Sequence, residues 1–475
     1  MFAVRQGTEN RERVGDSDDM ADLPATDPRH LPPRRGERLV LVAFVVVVAS
    51  FAVLVEHRSA FQQTRKGDLN VFLRAGWAVR ADADLYAVTD DNGFHYHYPP
   101  LLAILAAPLA DAPAGADRAG MLPYSISVAV CYLLNLFFLA FAVHRLARAL
   151  ERTPWGRTRL NWPVGSRGWW ALRMTPIFAY LIPIGHTLSR GQVNLLLLAL
   201  FAGFLADLLN GRQFRAGIWL AGAICIKIIP AYLLLLPLWR RDGRCLFGCA
   251  VGLFLGLAVV PGVYLGPTRT VECYRKMTYA VLLPGLGGGE DASRAAELTN
   301  QTATEGQSIL TVLHNTLHYD FATRPPKASL ELRLISYAIG GVLTLSALFA
   351  FGWRQRDDGI DLFLLFGLLT LNMLLISPVC HLHYFSLLVP LAMGLVADRW
   401  RRFEDVNLGW WLMGALIVNG VADFLPQLPD MNVFRDCGSA MYGSLIVWAM
   451  GAALLWQRRP RPSVPAPAIA RRWAA

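Results

Sequence analysis

The sequence predicts an all-α fold: a polytopic transmembrane helical bundle of about ten spans with two further re-entrant or hairpin segments. Three observations lead there. Hydrophobic residues make up 54% of the 475-residue chain and charged residues 17%, against roughly 45–50% and about 25% in soluble domains. Mean hydropathy is +0.37, and repeated apolar runs reach the roughly 18–20 residues that cross a bilayer. The net charge of +10 comes from Arg and Lys placed between apolar runs. There they act as topology signals and contacts to anionic lipid heads, not as a nucleic-acid surface. A compact soluble enzyme and a disordered chain are both excluded.

Residues 1–37 are polar, mixed in charge and interrupted by Pro24, Pro28, Pro32 and Pro33, the composition of a disordered tail. A membrane domain follows over 38–457, and 458–475 form a second tail rich in Pro, Arg and Ala. The first apolar run, Leu39 to Val55, lies deep and lacks a small-residue cleavage pattern, so it reads as an anchor. Further crossings are expected at 122–144, 170–186, 191–209, 245–266, 330–353, 360–377, 382–398, 408–424 and 439–456. Two segments fit poorly. Residues 98–111 are short and begin with Pro99-Pro100, and 216–239 carry Lys227 and Pro230 near the middle.

Charge asymmetry decides how those two are read. With the N-terminus in the cytoplasm and neither segment changing sides, the Arg-rich connections at 145–167, 212–215, 240–244, 354–356, 399–402 and 458–459 all fall inside. Loops 56–97 and 267–329, the latter with Gly287-Gly288-Gly289, then lie outside. The seven cysteines show no metal spacing and no disulfide framework; Cys245 and Cys249, one helical turn apart, read as small hydrophobes.

The unusual polar residues gather on the outer side. Leu69, Phe72, Leu73 and Trp77 follow helical spacing, which predicts an amphipathic helix on the membrane surface with Asp68 at its start. Asp68 is either a helix cap or a base for a substrate hydroxyl. Asp82 and Asp84 form an Asp-x-Asp pair, a metal motif in some sugar transferases and a frequent chance pattern. His95 and His97 face one way if the strand is extended, and suit interfacial hydrogen bonding or metal ligation. Arg190-Gly191-Gln192-Val193-Asn194 opens the long apolar run 191–209, where free N–H groups and Arg190 make either an anion site or a polar turn with a snorkelling arginine. Lys227 stands out most, because an ammonium at membrane depth costs roughly 2.5–3.5 kcal/mol or more. It either awaits a buried anion such as phosphate or pairs with carbonyls. Ser377-Pro378 leads to His381, His383 and Tyr384, two imidazoles able to meet a phosphate or order an acceptor.

These residues resemble a known family. The Gly191–Asn194 start of a Leu-rich helix, Ala216-Gly217, and Lys227 before Pro230 are similar to the polyprenol-phosphate-mannose-dependent mannosyltransferases, the GT-C-fold glycosyltransferases of family 87. Asp68, Leu85-Tyr86, Tyr98-Pro99-Pro100, Gln307-Ser308 and Ser377-Pro378 follow the family's order across roughly residues 65–400. The resemblance implies a GT-C-like fold and a catalytic aspartate at Asp68, with the family's paired histidines falling on His383 and Tyr384 and His381 displaced. It requires no nucleotide and no Asp-x-Asp metal.

The expectation is an integral membrane hexosyltransferase with its active site on the extracytoplasmic side of the plasma membrane. It transfers a sugar, mannose by family analogy, from a polyprenyl-phosphate donor to a lipid or glycan acceptor, in one displacement with inversion. Asp68 is the base. Lys227, Arg190, Gly191, Gln192, Asn194 and His383 bind the donor phosphate, and Tyr98, His381, Tyr384 and Gln307 are candidate acceptor or sugar contacts. Besides the two substrates the partners are membrane lipids. No metal, no cofactor and no nucleic acid is expected. The rival reading is a transporter or flippase of lipid-linked sugars, which could use the same cations but needs no outer carboxylate.

Overall fold

The computed structural model describes residues 28–62, 67–285, 297, 305–352, 358–401 and 406–458. Gly287–Gly289 and the tail segments 1–27 and 459–475 lie outside them. Among the described residues the regular structure is helical, and the one β feature is an isolated bridge between Thr89 and His95.

In chain order the principal helices begin with α1 (Arg35–Glu56), α2 (Leu69–Arg80), α3 (Pro100–Ala106) and α4 (Tyr124–Glu151). Next come α5 (Arg167–Ala179), α6 (Leu181–Arg190), α7 (Asn194–Leu209), α8 (Gln213–Ile226) and α9 (Gly243–Phe254). The second half holds α10 (Pro267–Met277), α11 (Ile309–Leu317), α12 (Leu330–Phe351) and α13 (Gly359–Ile376). The chain finishes with α14 (Val389–Arg401), α15 (Val406–Phe424) and α16 (Ser439–Gln457). Apolar all round, α13 forms the centre, with 94% of its spanning window buried, whereas α1 has 6% buried and lies at the periphery.

Six helices among the described residues are long and apolar enough to cross a bilayer: Arg35–Phe61, Tyr124–Glu151, Gly243–Leu265, Leu330–Phe351, Gly359–Ile376 and Ser439–Gln457. This is an integral membrane protein, but the count is below the ten expected. The difference lies mainly in runs that hydropathy reads as continuous and the backbone breaks. The run 170–186 divides at Tyr180, between Pro176 and Pro183, into α5 and α6. The run 382–398 opens as a 3-10 turn, Leu382–Leu388, before α14. Helix α7 begins three residues later than the 191–209 run.

Segment 216–239 does turn back. Helix α8 ends at Ile226, Lys227 is extended, and a 3-10 turn from Ile229 carries the chain to Trp239. The packing of α8 on α9 fixes the direction. Gly217 lies against Cys245 and Cys249, Gly248 against Phe214, Gly252 against Ala221, and Gly256 against Cys225. Positions rise together, so the two helices are parallel, and the chain between them must return to the end from which α8 started. The approach is close: a Cβ on Gly217 would lie 2.1 Å from the Cys245 carbonyl oxygen. Lys227 therefore sits at the tip of a hairpin.

The two ends of the bundle differ. At one end Arg145, Arg212 and Arg215 approach Asp207 at 3.3, 3.9 and 3.6 Å. Arg458 there meets Asp361 and Asp398, and Arg167 reaches Glu37 at 2.7 Å. Asp207 is near the end of α7, and Asn194 begins it. Asp68, Arg190, Gln192 and His383 lie toward the Asn194 end.

Candidate active site

Asp68 precedes α2 but does not cap it with its side chain. Its Oδ2 instead accepts a hydrogen bond from Gln192 Nε2 at 2.6 Å, with Arg190 Nη1 at 3.7 Å. Helix α2 does not lie on the membrane surface as its amphipathic pattern predicted. Both of its faces are buried, because the polar stripe is used inside the protein: Arg74 pairs with Asp91 at 2.9 Å and Asp111 at 3.5 Å. Asp68 is thus fixed by a helix that is itself embedded.

The stretch Arg190–Asn194 also differs from expectation. Arg190 and Gly191 do not start α7; they finish α6. Gly191 adopts a left-handed conformation (φ 66°), its N–H donates to Leu188 O at 3.3 Å, and the Gln192 N–H donates to Thr187 O at 3.0 Å. These donors complete the preceding helix and are not free for an anion. A Cβ on Gly191 would fall 2.6 Å from the Leu69 Cβ, so glycine is required here both by φ and by contact. Arg190 holds Glu305 at 2.9 Å as well as approaching Asp68. Asn194 turns away from the cavity and donates to the His383 carbonyl at 3.1 Å.

Lys227 projects from the hairpin tip and is 9% exposed. Its Nζ lies 3.9 Å from the centre of the Tyr384 ring and 5.3 Å from that of Tyr98, and it has no hydrogen-bond partner among the described residues. The Asp68 charge acts on both Tyr98 and Tyr384. Lys227 lies against these two rings, and the Asp68 charge acts on it as well. Cation–π contacts contribute about 0.5–2 kcal/mol, less than the roughly 2.5–3.5 kcal/mol cost of a cation at depth. The contacts offset only part of that cost, so the ammonium calls for an anion.

His381 and His383 share a side despite their i, i+2 spacing, because the 3-10 turn stacks their rings 5.6 Å apart at 28°. His383 is 1% exposed, and its Nε2 has no hydrogen-bond partner among the described residues. Its backbone is clamped: Thr187 Oγ1 and Ser386 Oγ donate to its carbonyl at 3.0 and 2.7 Å. Gln307 is held by its N–H on Cys380 O and its Nε2 on Arg435 O at 2.8 Å, which leaves its Oε1 unpaired.

The motifs at 82–84 and 95–97 lie elsewhere and tie the stretches 56–97 and 267–329 together. Asp82 meets Arg269 at 2.5 Å, and Asp84 meets Lys276 of α10 at 2.9 Å. Burial pushes the Asp84 carboxyl up, but the Lys276 ammonium and the Tyr86 N–H outweigh it and hold Asp84 below its ordinary value. His95 and His97 do face one way, onto Glu297 at 2.6 and 3.2 Å. Among the described residues no group of three or more His, Cys, Asp or Glu could hold a metal ion.

Helix α6 separates two cavities. Its apolar face, with Ile184, Gly185 and Leu188, joins Phe44 and Phe51 of α1 and Leu139 of α4 around an apolar space of about 570 Å³. Its polar face, with His186 and Arg190, joins Gln307, His381, His383, Gln427 and Arg435 around a polar cavity of about 80 Å³. The sequence reading missed His186, Gln427 and Arg435. Gln427 and Arg435 lie between α15 and α16, in a segment with no motif of its own.

Residues 96–378, more than half the chain, match the family model described as glycosyltransferase family 87. A polyprenol-phosphate-mannose-dependent alpha-(1-2)-phosphatidylinositol pentamannoside mannosyltransferase of Mycolicibacterium smegmatis is 25% identical, over 91% of this chain and 94% of its own. A polyprenol-phosphate-mannose-dependent alpha-(1-2)-phosphatidylinositol mannoside mannosyltransferase of Mycobacterium tuberculosis is 24% identical, over 72% and 79%. The crystal structure of ArnT from Cupriavidus metallidurans bound to undecaprenyl phosphate superposes with a TM-score of 0.39 at 13% identity, covering 87% of this chain and 77% of that one. Membership of a transferase family decides against the transporter reading: the chain belongs to glycosyltransferase family 87 and is an integral membrane glycosyltransferase.

Proposed function

We propose that the protein transfers mannose from a polyprenyl-phosphate donor to a hydroxyl of a lipid or glycan acceptor, with Asp68 as the base. The observation that carries this reading is Lys227, a buried ammonium at a hairpin tip that lies against two tyrosine rings, has no hydrogen-bond partner among the described residues and has a carboxylate within electrostatic reach. A lipid-linked phosphate supplies the anion that this lysine lacks. The apolar cavity on the far face of α6 offers space for the carrier's hydrocarbon. The names of the relatives favour mannose. The positive-inside rule favours a site on the extracytoplasmic side, because the arginine-rich connections gather at the other end.

The acceptor oxygen attacks the anomeric carbon as its proton passes to the Asp68 carboxylate. The bond from that carbon to the phosphate oxygen breaks, and the electron pair departs with the lipid phosphate, so one displacement inverts the centre. A phosphate leaving group calls for positive charge and hydrogen-bond donors more than for an acid. Lys227 and His383 supply these, and Arg190 joins them on leaving Glu305. Gln192 orients Asp68, Gly191 permits the contact with Leu69, and Asn194 fixes the His383 backbone. Tyr98, Tyr384, His381 and Gln307 surround the sugar or acceptor.

Asp68→Asn keeps the shape and removes the base. Transfer from radiolabelled polyprenyl-phosphate mannose should fall by about 10³-fold, while polyprenyl phosphate binds as before. Turnover within tenfold of the parent would remove Asp68 from this role.

A further inference from the structure

Phosphate binding by Lys227, His383 and Arg190 leaves most of the wall of the polar cavity beside α6 unexplained. Its two arginines already face carboxylates: Arg190 meets Glu305 at 2.9 Å and Arg435 meets Asp436 at 3.3 Å. The groups left over are neutral. His383 Nε2 and Gln307 Oε1 have no hydrogen-bond partner among the described residues, and their side chains are 1% and 2% exposed. Leaving such buried polar atoms unpaired costs about 1–3 kcal/mol each, so the cavity is built to be filled by something that hydrogen-bonds. His186 and Gln427 are held against each other, Nε2 to Oε1 at 3.0 Å, which sets both at the wall.

Neutral amides and imidazoles interleaved with charge-balanced guanidinium groups match a ring of hydroxyls, each both donor and acceptor. Apart from Arg190 and His383, which border the phosphate, they do not match an anion or a lipid chain. At about 80 Å³ the cavity exceeds the roughly 10–15 Å³ that one water needs several times over. Its position is equally specific. The Tyr384 ring, under which Lys227 lies, is 4.6 Å from the His383 ring, and His383 lines the cavity. A ligand whose phosphate rests at Lys227 has its next group, or its reaction partner, at this wall.

We propose that this cavity is a sugar-ring subsite, and that Gln427, His186 and Arg435 bind ring hydroxyls and set sugar specificity. The inference rests on the glycosyl-transfer reading above and adds to it the segment between α15 and α16. The ring belongs to the donor or to the acceptor, and one set of measurements separates the two.

The full-length protein in detergent is assayed with polyprenyl-phosphate mannose as donor and an alkyl α-D-mannopyranoside as acceptor, with free polyprenyl phosphate as competing inhibitor. Gln427→Ala and Arg435→Lys should each raise one KM at least fivefold and leave the inhibition constant of polyprenyl phosphate unchanged. A rise in the donor KM assigns the ring to the donor, and a rise in the acceptor KM assigns it to the acceptor. Weaker inhibition in step with KM makes the cavity part of the phosphate site and overturns the proposal; so does no change in either KM. A second readout does not depend on turnover. Methyl glycosides of mannose, glucose, galactose and arabinose are screened for a rise in thermal midpoint. At least one should protect the parent and not the variants. If the parent transfers nothing from polyprenyl-phosphate mannose, the donor assignment fails, and this screen alone decides the cavity: equal protection of all forms, or protection of none, overturns it.

Discussion

The two ends of the bundle treat buried charge in opposite ways. At the arginine-rich end Asp207 faces three arginines, and Arg458 faces Asp361 and Asp398, so charges taken from water are matched by charges of the protein itself. At the other end Lys227 lies against two tyrosine rings, and its Nζ, His383 Nε2 and Gln307 Oε1 have no hydrogen-bond partner among the described residues. Buried polar groups are normally satisfied. One end closes its electrostatics to hold the fold, and the other leaves them open for a ligand to complete.

That contrast is sharpest in a pair of substitutions that remove a charge and keep an unbranched side chain. Arg458→Met takes the guanidinium away from Asp361 and Asp398 and should cost about 3–5 kcal/mol, the usual penalty for removing one partner of a buried ion pair. It should appear as a large fall in thermal midpoint. Lys227→Met removes a cation with no such partner, so the midpoint should hold or rise while affinity for polyprenyl phosphate falls at least tenfold. Equal losses of stability in the two variants would erase the distinction between the ends.

A smaller effect is expected at Gly191→Ala, where a left-handed backbone and the Leu69 contact add strain of about 1–3 kcal/mol. The strain falls beside Asp68, so kcat should decline more than the thermal midpoint does. The smallest effect belongs to the loop clasp. Asp84 is held below its ordinary value, so its contribution is present at neutral pH and is lost as pH falls through the lowered folded-state value. Asp84→Asn should remove less than about 1 kcal/mol at neutral pH and leave transfer unchanged, as a thermal scan and a single-substrate assay would show.

Much of this architecture is legible in the sequence because hydropathy and arginine placement act locally. Lys227 followed by Pro230 announces a broken segment, and the parallel packing of α8 and α9 shows the turn. Asp68 is legible as a carboxylate at the start of a helix. Its release from capping duty is not, because that depends on Gln192, more than a hundred residues away. The start of α7 is not legible, because Gly191 also suits the opening of the apolar run. A glycine after Leu188-Ser189-Arg190 also fits the left-handed end of the preceding helix, and the structure takes that option. The burial of α2 depends on Asp91 and Asp111 meeting Arg74, a tertiary match that no periodicity carries. Gln427 and Arg435 lie in a short connection without pattern and reach the site only when α15 and α16 pack.

The reversal at Lys227 also governs how the rest of the chain can be threaded. Were the break between α8 and the 3-10 turn straightened into one continuous helix, the chain would exit at the opposite membrane surface. Arg240, Arg241 and Arg244 would be carried through the lipid, and every later segment would be inverted. The bend that presents a single amine to the cavity is thus also the point on which the handedness of insertion for the whole C-terminal half turns.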